Sequence, residues 1–168
     1  MKDIEQGNKD FINRINKDNY LKELRDNLVK GQHPEVLVIT CSDSRVIPEL
    51  IFNASLGDIF VIRTAGNVIN VGELATVEYA IEHLKVKRII VLGHTHCGAI
   101  HATIKGEKGR YMDPILNRIK GNIGNICDEL EASRVNAIKE ANYIKEKFPE
   151  YTGIIESKIY DIEKSTIA

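Results

Sequence analysis

The stretch Arg88-Ile89-Ile90-Val91-Leu92-Gly93-His94-Thr95-His96-Cys97-Gly98-Ala99-Ile100 decides how this chain is read. Residues 88–92 form an apolar run of strand length, and from Ala99 onward the pattern becomes that of the first turns of a helix. Between the two, a histidine and a cysteine sit on a glycine-flanked turn at the carboxyl end of a strand, where open α/β sheets place ligands and chemistry. Working back, Thr40-Cys41-Ser42-Asp43-Ser44-Arg45 has the same setting, after the strand-like Glu35-Val36-Leu37-Val38-Ile39. Two such turns at one sheet edge would pool Cys41, His94 and Cys97 around a single metal ion.

The rest of the chain fits around these two strands. Pro48 opens a short helix through Phe52, Gly57-Asp58 turns into a strand over 59–62, and Thr64-Ala65-Gly66-Asn67 is a loop. A helix over 73–84 carries Leu74, Val77, Ala80, Ile81 and Leu84 on one face. After Cys97 a helix runs to about Gly106. Pro114 starts another, interrupted around Gly121 and Gly124. Residues 128–148 read as a long amphipathic helix with Leu130, Val135, Ile138, Tyr143 and Ile144, and 154–162 as a terminal strand. This alternation with short links predicts an α/β fold: a mostly parallel β-sheet flanked by helices. Residues 1–30 form an N-terminal helical arm in two pieces, apolar at Phe11, Ile12, Ile15, Tyr20, Leu21, Leu24 and Leu28. So narrow a stripe needs a surface to lie on, and a neighbouring subunit would provide one. The expectation is a single domain over 1–168, with arm 1–30 and α/β core 31–168.

Composition narrows the function. With 168 residues the chain is long enough for one domain with a real core. A net charge of −1 gives it no global attraction to nucleic acid or an anionic membrane. The absence of tryptophan speaks against base stacking on single strands. The apolar runs are strand-sized, too short for a transmembrane helix, and the polar start Met1-Lys2-Asp3-Ile4-Glu5-Gln6 is not a secretory signal. Three cysteines, an odd number, argue against a disulfide framework and for a reducing, cytoplasmic setting.

Zinc takes cysteine sulfur and histidine nitrogen in a tetrahedron, and three protein ligands leave one position for water. Taken alone, His-x-x-Cys is weak evidence, and a cysteine after a strand also reads as a small buried apolar residue. Cys127, in a helix-like stretch, stands outside the set as a core or surface residue. Asp43-Ser44-Arg45 without the neighbouring cysteine would be a solvated loop. Phe60 and Tyr79 would be core packing, and Gln32 would be a solvent-facing turn residue.

Together, Cys41-Ser42-Asp43-Ser44-Arg45 and Gly93-His94-x-x-Cys97-Gly98 resemble the β-class carbonic anhydrases. The likeness continues through Leu56-Gly57-Asp58-Ile59-Phe60-Val61-Ile62-Arg63-Thr64-Ala65-Gly66-Asn67, Glu78-Tyr79-Ala80 and Leu84-Lys85-Val86. It is strong over 31–105 and weaker over 128–162. The resemblance implies one Zn2+ per subunit on Cys41, His94 and Cys97, and reversible hydration of carbon dioxide to bicarbonate and a proton by a metal-bound hydroxide. Two thiolates would soften the ion's acidifying effect, which implies an alkaline preference. Asp43 and Arg45 would be the catalytic pair, the guanidinium keeping the carboxylate ionised and off the metal. Gln32, Phe60, Ala65, Tyr79 and Gly98 match the substrate pocket. Members pair as homodimers, or homotetramers, with arms embracing the partner and pockets near the interface.

Some positions depart from the family pattern. Thr64 replaces a frequent asparagine, and Thr95-His96 is an unusual pair within the metal turn. His96 and His101 are candidate proton shuttles or solvent-facing residues, and His33 and His83 read as surface residues. The tryptophan of a regulatory bicarbonate pocket is missing. Two other readings keep the scaffold: a carbon disulfide or carbonyl sulfide hydrolase using the same site, and a non-catalytic zinc or redox-sensing protein. The last has no need of Asp43 and Arg45.

Overall fold

The computed structural model describes residues 3–168. Among these described residues five strands form one sheet: β1 (Val36–Cys41), β2 (Ile59–Thr64), β3 (Arg88–His94), β4 (Ile154–Asp161) and β5 (Thr166–Ile167). Their order is β2-β1-β3-β4-β5. The first four run parallel and β5 pairs antiparallel with β4 through Tyr160↔Ile167. The mostly parallel α/β architecture expected from the alternating pattern is therefore present. The two-residue β5 is an addition, too short to leave a periodic signal.

Alternate side chains divide the core between the two faces of the sheet. Leu37, Ile39, Ile89 and Val91 pack with Val77, Ala80 and Ile81 of α4 (Val71–Glu82) and with Ala137, Ala141 and Ile144 of α7 (Glu129–Lys147). Val38, Ile90 and Leu92 pack on the other side with Val46 and with Ile51 and Phe52, at the end of the short α3 (Pro48–Ile51). Strands β1 and β3 have neighbours on both edges and apolar packing on both faces, which explains why they read as unbroken apolar runs. The α3 side is thinly covered. An open cleft of ≈ 520 Å³ there is lined by Val36, Val38, Ile59, Ile90 and Ile167.

The arm is two helices, α1 (Ile4–Lys17) and α2 (Asn19–Leu28). Asp18 separates them: its backbone N–H closes α1, and its carboxylate accepts from the Leu21 N–H to open α2. Ile15 is buried, whereas Phe11, Ile12 and Tyr20 stay exposed. Among the described residues no helix is long and apolar enough to cross a membrane.

Two local expectations are corrected. Helix α6 (Asp113–Ile123) continues through Gly121 and stops only at Gly124. In α7 the buried face is Ala132, Ser133, Asn136, Ala137, Glu140, Ala141 and the expected Ile144, while Leu130 and Ile138 face out at 37% and 47% exposure. Small residues let α7 lie close on β3. A Cβ added at Gly93 would stand 2.8 Å from Ile159 Cδ1, 3.3 Å from the Ser133 carbonyl oxygen and 3.4 Å from Ala137 Cβ. Because one of those neighbours is backbone, Gly93→Ala is expected to cost about 1–3 kcal/mol through overpacking. A denaturant midpoint equal to wild type would contradict that close approach.

Candidate metal centre

Thr40 lies opposite Leu92, so Cys41 and His94 leave neighbouring parallel strands at the same end. Strand β1 sits between β2 and β3, which makes this the point where connections diverge to opposite sides and a crevice opens beyond the strand ends. Cys97 arrives from a tight turn in which His96 takes a φ of 57°, and it caps α5 (Gly98–Lys105). The ligand atoms of Cys41, His94 and Cys97 lie within 4.8 Å of one another, with the two sulfurs 4.0 Å apart. All three side chains are buried.

The polar atoms of this cluster are arranged for a cation. His94 Nδ1 lies 2.9 Å from the Thr95 carbonyl oxygen, a contact that places the ring proton on Nδ1 and a lone pair on Nε2. Nε2 is buried and, among the described residues, has no hydrogen-bond partner. Such an orphan is costly unless something binds it. The Cys97 thiol hydrogen-bonds Cys41 and pulls its pKa down to about 4 against the opposing effect of burial; His94 and the N–H groups of Asp43 and Gly66 add to the lowering. Cys97 is pushed up by that same sharing and by burial. A divalent cation held among the three ligand atoms satisfies both sulfurs and Nε2. Two thiolates and an imidazole are a donor set suited to zinc.

Asp43 stands on the loop leaving β1. Arg45 Nε donates to its Oδ1 at 2.9 Å and Arg45 Nη2 to its Oδ2 at 2.7 Å. The Arg45 backbone N–H also donates to Oδ1. This fork holds the Asp43 carboxyl well below the usual carboxylate range. Arg45 Nη2 reaches the His96 carbonyl as well, at 3.1 Å, and so ties together the two loops that carry the cluster. Arg63, which the sequence reading passed over, donates from Nε to the Cys41 carbonyl and from Nη2 to the Asp43 carbonyl. A charged residue in β2 opposite Thr40 was the available signal for it.

The expected pocket residues divide into two groups. Ala65 begins a 3-10 turn (Ala65–Asn67) whose Gly66 N–H donates to Cys41 Sγ at 3.3 Å, and Gly98 directly follows Cys97. Both adjoin the cluster. Phe60 pairs opposite Leu37, four positions before the Cys41↔Thr64 pair, or ~13 Å along the strand. Its ring sits 6.2 Å from that of half-exposed Tyr79, which in turn stacks on His83. Gln32 is exposed ahead of β1, at the opposite end from Cys41. Within one chain these three residues do not meet the cluster. His96 and His101 are exposed and contact Glu163 and Glu129 at 3.1 and 2.6 Å. Cys127 is exposed, outside the cluster.

A family model described as carbonic anhydrase matches residues 36–165. The carbonic anhydrase of Mycolicibacterium smegmatis is 40% identical over 127 residues, covering 68% of this chain and 61% of that protein. The carbonic anhydrase of Synechococcus elongatus is 49% identical over 90 residues, covering 50% and 33%. The chain thus matches between a third and two thirds of the length of these curated relatives. Among solved structures, a tetrameric β-carbonic anhydrase of Sordaria macrospora superposes with a TM-score of 0.81 at 25% identity, over 98% of this chain and 93% of that one. The β-carbonic anhydrase CafA of Aspergillus fumigatus gives 0.82 at 26%, over 98% and 88%.

Proposed function

We propose that this chain, which belongs to the β-class carbonic anhydrase family, holds one zinc ion per subunit on Cys41, His94 and Cys97 and interconverts carbon dioxide and bicarbonate. The observation that carries this reading is a buried sulfur–imidazole–sulfur triangle beside a carboxylate that Arg45 keeps ionised. A purely structural metal site has no use for that carboxylate. When bound, the zinc supplies Lewis acidity that brings the pKa of a water toward neutrality.

The protein's own groups do the remaining work. Asp43 accepts a hydrogen bond from the attacking nucleophile and so sets its orientation. Arg45 holds Asp43 by both oxygens, which keeps the carboxylate from turning onto the metal. Ala65 leaves room at the mouth, and Gly98 lets backbone approach the reacting atoms. Phe60 and Tyr79 offer an apolar wall suited to carbon dioxide, which has no charge or net dipole, and Gln32 offers an amide donor. Since these three lie a strand's length from their own cluster, they would serve the site of a second copy.

The thinly covered sheet face and the exposed arm residues Phe11 and Ile12 support a homodimer or homotetramer. Sedimentation at micromolar concentration is expected to show a dimer or tetramer, and a fully active monomer would contradict the shared pocket. Residues 1–168 would act as one unit. A cytoplasmic setting accords with three cysteines none of which is bridged among the described residues.

Stopped-flow hydration of carbon dioxide, run beside hydrolysis of carbonyl sulfide and carbon disulfide, tests the reading. Hydration far above the buffer rate, with the sulfur substrates slower, is expected. Zinc-loaded protein that leaves carbon dioxide at the buffer rate would overturn it.

A further inference from the structure

The buried face of α7 carries two side chains that an apolar core does not require. Asn136 and Glu140 are both 0% exposed. A carboxylate taken fully out of water is costly unless it is paired and its lone pairs are satisfied. Here the partners come from α6: Arg118 Nε and Nη2 donate to the two Glu140 oxygens at 2.8 and 2.9 Å, and Asn122 Nδ2 donates to Glu140 Oε1 at 2.8 Å. The same Asn122 amide nitrogen donates to Asn136 Oδ1 at 2.9 Å. The Arg118 guanidinium lies over the Tyr143 ring, 4.1 Å from its centroid. Replacing such a buried network with well-packed apolar residues is often neutral or stabilising, so stability alone does not account for it.

The network reaches the metal cluster through Asn136. Asn136 Nδ2 donates to the Gly66 carbonyl at 2.9 Å, and the Gly66 N–H donates to Cys41 Sγ at 3.3 Å. Gly66 is therefore gripped on its carbonyl side by α7 while its N–H is aimed at a metal-ligand sulfur. That turn cannot hold itself cheaply. Gly66 has a φ of 65° and Asn67 a φ of 50°, two left-handed residues in succession. A Cβ at Gly66 would lie 2.7 Å from Ile119 Cδ1 and 3.1 Å from Ala99 Cβ, so the backbone has closed fully onto its neighbours.

We propose that Asn136, locked in place by Asn122 and the Glu140–Arg118 pair, is a positioning residue of the metal centre that fixes the Gly66 N–H on Cys41. This rests on the zinc reading given above. Outer partners of metal ligands typically change metal affinity or activity by about 10–100-fold when removed.

The test uses the zinc-loaded full chain in three variants: Asn136→Ala, Glu140→Gln, and Ile144→Val as a control that trims the same helix without touching the network. Zinc release to a chromophoric chelator is timed, and the sulfur-to-metal charge-transfer band is recorded after cobalt substitution. Release about 10–100-fold faster in Asn136→Ala, with a displaced band, is expected, while Ile144→Val releases zinc as wild type does. Wild-type release and an unmoved band in Asn136→Ala would overturn the proposal. Should that variant not fold, Glu140→Gln decides: faster release supports the proposal and wild-type release overturns it. Wild-type protein that takes up no zinc would overturn the metal reading and this proposal together. Zinc-loaded wild type with indifferent variants would overturn this proposal alone.

Discussion

His94→Ala is expected to purify without stoichiometric zinc and to hydrate carbon dioxide at the buffer rate. The imidazole is one of three donors in a triangle 4.8 Å across, and its buried Nε2 has no other partner among the described residues. Without it, Cys41 and Cys97, 4.0 Å apart, are left to hold a cation at two vertices. The loss should exceed the ~10²-fold that removal of an outer-shell partner can cost. The substitution removes the ring from the end of β3 without altering the strand pairing, so the circular dichroism spectrum should remain that of wild type. Full zinc occupancy in the variant, measured by elemental analysis, would show that the metal sits elsewhere.

The second large effect belongs to Asp43. Asp43→Ala should retain zinc yet lose about 10²–10⁴-fold in the rate of hydration, the range associated with a positioned proton-handling group. Arg45→Ala should act through pH. The guanidinium fork lowers the folded-state pKa of Asp43, so the ion pair's stabilising contribution is present above the ordinary carboxylate range and is lost as pH falls through the depressed value. Removing the fork abolishes that contribution and lets Asp43 take up its proton at a higher pH. The acid limb of the rate profile should shift upward with it, while Arg45→Lys, which keeps a charge but not the bidentate geometry, should fall between the two. Equal rates in wild type and Asp43→Ala, both with zinc bound, would remove Asp43 from the chemistry.

The parts of this molecule that were readable in its sequence share a physical cause. Strands β1 and β3 are covered on both faces, so burial writes them as apolar runs, and the cysteine and histidine turns stand out where those runs stop. Helix α7 shows the reverse. Its apolar pattern marks Ile144 correctly but also points to the outward-facing Leu130 and Ile138, and polar Asn136 and Glu140 carry no local sign of burial. What buries the polar pair is Arg118 and Asn122 on another helix, and no local pattern carries that information. Arg63 escaped for a related reason: its acceptors are backbone carbonyls, which a sequence does not distinguish. Strand register places Phe60 four positions from the Cys41↔Thr64 pair, Tyr79 packs beside Phe60, and Gln32 precedes β1. Only the sheet's dimensions reveal that separation.

X-ray absorption at the zinc edge of the purified protein, read together with metal stoichiometry, tests the metal centre most directly. The expected result is one zinc per chain, with two sulfurs at ~2.3 Å, one imidazole nitrogen at ~2.0–2.1 Å and one further light-atom ligand. Protein with no stoichiometric zinc, or zinc surrounded only by oxygen and nitrogen, would contradict the assignment of Cys41, His94 and Cys97 to a single ion.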